Sequence, residues 1–275
     1  MFKKKNTSPY VTIKRRDNER AKRHQRQSRR GFRGWKKFLA ILLIMLIVLG
    51  VGGFVGLNIY AADYYHADET ATTILNAGHD MEVHDDYIVL WGNKNAQYYD
   101  ASSATVFYPG GKVEYTAYLP MLQKLQSAGM NVILVKMPYN LAFFGVNKMD
   151  EVMADYADIK TWNLAGHSLG GVAATMYYKN HQDSVQRVAL LGSFVYGDVP
   201  HDNIEIIYGT NDGLLNVDKI LDTDQVVKIQ GGNHAQFGSY GEQSGDDEAT
   251  LSADYQQRIA ATAMIQWFTQ GKVYK

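Results

Sequence analysis

From Phe38 to Ala62 the chain carries no charged residue, and its dense part, FLAILLIMLIVLGVGGFVGL, fills residues 38–57. Such a run has no polar face to turn toward water, so it does not suit a soluble core helix. At about 1.5 Å per residue, a helix of that length reaches about 30 Å, the thickness of a bilayer core. The sequence therefore predicts one transmembrane helix and, with it, a chain divided in two. A polar arm precedes the helix and a much longer body follows.

Charge sharpens the division. The formal net charge is zero, but residues 1–37 hold 15 Lys and Arg against 2 acids, a net of +13. The remainder holds a net of −13. Lys and Arg beside an apolar span mark its cytoplasmic end and attract anionic lipid head groups. We read the arm this way rather than as a nucleic-acid tail, and expect no nucleic-acid partner. Its low apolar content predicts disorder. The apolar stretch exceeds the roughly 7–15 residues of a cleaved signal peptide. An uncleaved anchor is favoured, with cleavage after Ala61-Ala62 left open. Gly52 and Gly56 form a GxxxG pair, which in a chain rich in membrane-helix glycine carries little. The predicted organisation is a cytoplasmic arm (1–37), an anchor (38–62), a short polar stalk (63–78) and a body (79–275) outside the cell membrane. There is no cysteine, which excludes disulfides, thiolate metal sites and a Cys nucleophile.

The body alternates short apolar runs with helical stretches. Strands are predicted at 87–91, 104–109, 131–137, 161–166, 187–193, 204–210 and 225–231. Helices are predicted at 115–129, 147–158, 170–181 and 252–271, the last ending at Gly271. Continuous Val/Ile/Leu strands between helices predict an α/β fold, a mostly parallel sheet covered on both faces. Reactive groups in such sheets sit beyond the carboxyl ends of strands.

At one such end stands NLAGHSLGG, residues 163–171. GxSxG alone is a weak signal, but here a strand precedes it and a small-residue helix follows. A sharp strand-to-helix turn needs close backbone approach, which Gly166 and Gly170 permit, and it presents Ser168 at a helix N-terminus. A serine hydroxyl needs a base. Of the three histidines that follow, His181 ends a helix and His201 lies in a loop. His234 directly follows the strand QVVKIQGG and is the candidate base. Asp212, in the turn after IEIIYGT, is the candidate acid, with Asp198 held in reserve. The order Ser168, Asp212, His234 is one of the known triad orders. Pro109-Gly110-Gly111 follows an earlier strand. The amide of Gly111, or that of Lys112, with the amide of Leu169 would form an oxyanion hole. HDMEVHDD (79–86) lacks the HExxH spacing of a zinc site, and its plain reading is a solvated strand.

The motifs YPGGKVE, LAGHSLGG, YGTNDGL and GGNHAQFGSYG resemble those of the α/β-hydrolase superfamily, and more narrowly its membrane-anchored or secreted bacterial serine hydrolases. The resemblance covers about residues 80–272. It implies ester or related acyl hydrolysis with no metal or organic cofactor. Pro109 departs from the pattern, since many members carry His there. The related dienelactone-hydrolase branch uses Cys, which this chain lacks.

About a dozen residues separate the strands ending near Gly192 and beginning near Ile204, too few for a folded lid. The expectation is an open site without a sizeable cap, taking small, short-acyl esters. Phe143, Phe144, Phe194, Tyr196 and Phe237 are candidates to line an acyl pocket. Two other classes stay open: an acyltransferase on the same fold, and an inactive cell-surface interaction protein.

Overall fold

Short Val-, Ile- and Leu-rich runs cannot bury both faces alone, and in this chain they assemble into one eight-stranded sheet. The computed structural model describes residues 9–270. The chain divides into two units, with the boundary between Tyr60 and Ala61.

The first unit is helical. Helix α1 runs Pro9–Ala62 without a break. Within it, Trp35–Ala62 is long and apolar enough to cross a membrane, with a mean hydropathy of 3.0 in a window that no protein covers. The arm, expected to be disordered, is instead helical from Pro9 onward; residues 1–8 lie outside the described residues. Lys, Arg, Gln and Glu are good helix formers. The apolar run supplies a preformed nucleus, and nucleation is the costly step.

The second unit is the body. Its strands are β1 (Met81–Val83), β2 (Tyr87–Leu90), β3 (Ser103–Tyr108), β4 (Asn131–Val135), β5 (Thr161–His167), β6 (Arg187–Leu191), β7 (Ile204–Gly209) and β8 (Gln225–Ile229). They lie in the order β1-β2-β4-β3-β5-β6-β7-β8. β1 and β2 are antiparallel and the rest are parallel. Helices α3 (Leu119–Ser127) and α6 (Ala253–Thr269) pack on one face through Leu122, Leu125, Met264 and Trp267. Helices α4 (Lys148–Asp155) and α5 (Leu169–Tyr178) cover the other through Met149, Val152, Ala174 and Tyr178. Alternate strand residues feed the two cores. Phe107 and Leu134 face one, Val106 and Ile133 the other. Ser252 caps α6 by accepting from Tyr255 N–H, and Trp267 Nε1 donates to Val188 O at 2.9 Å, pinning α6 to the sheet. The predicted stop at Gly271 lies outside the described residues.

All seven predicted strands are present. The eighth, β1, is a three-residue edge within HDMEVHDD, the segment whose plain reading was a solvated strand, and its residues are largely exposed.

Residues 63–78, expected to be a stalk, are built into the body. Tyr65 pairs with Val113 as a parallel bridge, with Tyr65 N–H donating to Lys112 O and Glu114 N–H to Tyr65 O, both at 2.8 Å. Asp68 then caps helix α2 (Glu69–Ala77), which ends at Gly78 in the left-handed conformation. A polar run reads as linker because its bonds are to distant backbone, which no local pattern reveals. Between β6 and β7 the connection holds no helix or strand, so no cap covers the sheet there.

Candidate active site

The turn from β5 to α5 is strained. Ser168 has φ +52° and ψ −121°, a region that costs a side-chain-bearing residue about 1–3 kcal/mol. Besides the first bonds of α5, two bonds tie it to the neighbouring strand and the loop after it. Ser168 N–H donates to Leu191 O, and Ser193 Oγ donates to Ser168 O, both at 2.9 Å. A Cβ on Gly166 would stand 2.5 Å from Gly170 O, and one on Gly170 would stand 2.2 Å from Tyr108 O. Only glycine lets the helix close over the strand ends. Ser168 itself is partly exposed, at the first turn of α5.

His234 lies in the loop after β8 and is buried. Its Nδ1 is 2.9 Å from Asp212 Oδ2 and 3.0 Å from Asp212 Oδ1. A carboxylate only accepts, so Nδ1 carries a proton and Nε2 is the nitrogen left for the site. Nε2 is buried and has no hydrogen-bond partner among the described residues. Asp212 is fixed in turn, because Oδ1 also accepts from Leu214 N–H (3.0 Å) and Leu215 N–H (2.8 Å). The pair sits over the end of β6. A Cβ on Gly192 would stand 3.0 Å from both Asp212 Oδ2 and His234 Nδ1. The His234 ring is 4.5 Å, centroid to centroid, from that of His167, the residue before Ser168. Ser168, Asp212 and His234 therefore share one corner of the sheet.

The other candidates are engaged elsewhere. His181 stacks on Tyr177 at 3.9 Å and bonds Tyr177 O. His201 pairs with Asp224. Asp198 is exposed in the loop after β6.

The Pro109-Gly110-Gly111 turn faces the N-terminus of α5. A Cβ on Gly111 would stand 2.7 Å from Leu169 Cδ2, so these two residues adjoin. The Leu169 amide belongs to the first helical turn, which has no intrahelical acceptors. Lys112, the alternative donor, is committed, since its N–H donates to Asn140 O at 2.7 Å.

Two buried residues behind the turn escaped sequence reasoning. Tyr118 Oη accepts from Gly110 N–H at 2.9 Å and lies 2.8 Å from His167 Nδ1. Burial pushes the Tyr118 hydroxyl pKa up. Burial, and secondarily the neighbouring His234, holds His167 well below the usual imidazole range, so it stays neutral. Tyr118 sits in a helical stretch and reads there as one more apolar contact. Only its partners across the fold give it a role.

The alpha/beta hydrolase family model matches residues 104–258, more than half of the chain. The chain belongs to the alpha/beta hydrolase family. Membership supports a hydrolytic activity. No curated protein matches the chain. Among solved structures, the α/β hydrolase MGS-MChE2, from the metagenome of lagoon sediments at Mar Chica, Morocco, is 15% identical with a TM-score of 0.49. That match covers 70% of this chain and 99% of that one. Est1E from Butyrivibrio proteoclasticus is 12% identical with a TM-score of 0.47, covering 69% and 98%. A monoacylglycerol lipase from Paleococcus ferrophilus is 12% identical with a TM-score of 0.49, covering 68% and 100%.

The five aromatic residues expected to line a pocket differ in burial. Phe237 is fully buried in the core, 5.5 Å from the His167 ring. Phe194 is half-buried beneath Lys219 Nζ at 4.4 Å. Tyr196, Phe143 and Phe144 are exposed. Sequence position placed all five beyond strand ends, but which way each side chain turns is a matter of tertiary packing.

Proposed function

We propose that this alpha/beta hydrolase is a serine esterase that cleaves carboxylic esters through Ser168, His234 and Asp212. The observation that carries the proposal is the His234–Asp212 pair, with an unpartnered Nε2, beside a strained serine. In this mechanism His234 Nε2 takes the Ser168 proton as Oγ attacks the ester carbonyl. Asp212 keeps Nδ1 protonated and stabilises the imidazolium. The amides of Gly111 and Leu169 receive the oxyanion, helped by the positive end of α5. His234 returns its proton to the leaving alcohol. Water then attacks the acyl-enzyme by the same route and releases the acid, leaving Ser168 as it began. A panel of acyl esters of graded chain length, with Ser168→Ala as control, tests the reading. Absence of turnover on every ester would reject it.

In the same scheme Tyr118 is a positioning residue, since it holds the Gly110 amide and so the oxyanion turn. Tyr118→Phe strips a buried N–H of its acceptor, at a cost of about 1–3 kcal/mol. We expect kcat to fall about tenfold with KM nearly unchanged, measured well below the variant's Tm. A parallel rise in KM, or unchanged kcat, would contradict the role.

The +13 arm beside the apolar helix supports a single-pass anchor with a cytoplasmic N-terminus and the catalytic body outside. Anionic head groups would be the arm's partners. Protease added to intact cells should then digest the body, whereas protection until lysis would reverse the orientation.

A further inference from the structure

The juxtamembrane segment, the oxyanion turn and an exposed aromatic cluster are stitched together within the body. Ala61 and Ala62, the last residues of the apolar helix, already belong to this unit, and Ala61 is buried. The next residue, Asp63, bonds Lys112 Nζ at 2.9 Å, and Tyr65 N–H donates to Lys112 O. Lys112 N–H in turn holds Asn140 O at 2.7 Å. Asn140 lies in the connection after β4 that exposes Tyr139 (38%), Phe143 (52%) and Phe144 (54%). Tyr139 and Phe144 meet edge to face at 5.5 Å.

This connection is also strained. Tyr139 (φ +57°) and Asn140 (φ +52°) are consecutive non-glycine residues in the left-handed region. Strain of this kind persists only where the surroundings impose it. Here the Lys112 bond, together with Asn140 N–H to Met137 O at 3.1 Å, fixes the turn that turns these rings outward.

We propose that Tyr139, Phe143 and Phe144 form a lipid-contact surface by which the body touches the bilayer. The occupant is a lipid surface because the segment of the body that directly continues the membrane-length helix, Asp63 to Tyr65, is tied to this connection through one residue, Lys112. Exposed aromatic rings are the side chains that membrane proteins place at the head-group level. The oxyanion turn shares the same residue, so the ester that reaches it would be an amphiphile presented at the membrane surface. That last step rests on the esterase reading; the contact itself does not.

The chain has no cysteine, so Phe144→Cys and Phe143→Cys each give a unique attachment point for a nitroxide. Leu221→Cys, at the exposed amino-end side of the sheet before β8, is the control. The full chain is reconstituted in vesicles of mixed neutral and anionic phospholipid. Labels at 143 and 144 should collide preferentially with oxygen, which concentrates in lipid, and the label at 221 with a water-soluble nickel chelate. Labels at 143 and 144 as open to the chelate as that at 221 would overturn the proposal. So would labels shielded from both, as a second copy or another protein over the cluster would produce. As a second readout, Phe143→Ser with Phe144→Ser should lower turnover of a vesicle-borne acyl ester, relative to a soluble one, by at least about fivefold. An unchanged ratio would overturn delivery from the membrane. The label reads contact without turnover, so failure of the contact and failure of the esterase reading give separate results.

Discussion

Replacing Ser168 by alanine is expected to lower ester hydrolysis by at least about a thousandfold while leaving the fold intact. The hydroxyl is the only group in the scheme that bonds covalently to the acyl carbon. Its neighbours supply proton transfer and charge stabilisation but no substitute nucleophile. Folding should be spared for three reasons. The side chain is partly exposed, alanine keeps the Cβ that the strained backbone already accommodates, and the bonds holding the turn use Ser168 backbone atoms. Stability should therefore change by no more than about 0.5 kcal/mol. Labelling by a fluorophosphonate should vanish with activity. Turnover within tenfold of the parent would remove Ser168 from the mechanism.

Asp212→Asn should be the next most severe change, lowering kcat by at least about a hundredfold, with Asp198→Asn close to the parent. The cause is the proton on His234. A carboxylate forces it onto Nδ1, whereas an amide can offer its own N–H to Nδ1 and drive the proton to Nε2, where the base is needed. Asparagine retains the oxygen that accepts from Leu214 and Leu215 N–H, so the turn that carries residue 212 should hold. Assaying the two variants side by side over a pH series separates the candidates. A severe Asp198→Asn with a mild Asp212→Asn would move the acid to the loop after β6.

The parallel α/β body was legible because its strands are apolar on both faces and helices separate them, a pattern written over short distances. The corner holding Ser168 was legible for a related reason. A strand, a glycine-flanked serine and a helix are contiguous, and the chain order of Ser168, Asp212 and His234 leaves few other choices. The disordered arm and the polar stalk were misread. Composition counts apolar residues, but it does not register helix propagation from a neighbouring nucleus, nor a backbone pairing such as Tyr65 with Val113.

By itself, then, the sequence determined the membrane-length helix, the sheet-and-helix body and the identities of the three candidate catalytic residues, because each rests on local periodicity or on strand ends. Only the tertiary structure set Asp212 rather than Asp198 against His234, gave the Lys112 amide an acceptor in Asn140, and placed Tyr118 and His167 behind the oxyanion turn. It alone turned Phe237 inward and Phe143 and Phe144 outward. Each of these depends on which atoms far apart in the chain come within bonding distance. A hydrogen bond or a buried ring is a property of two partners, and a single stretch of sequence names only one.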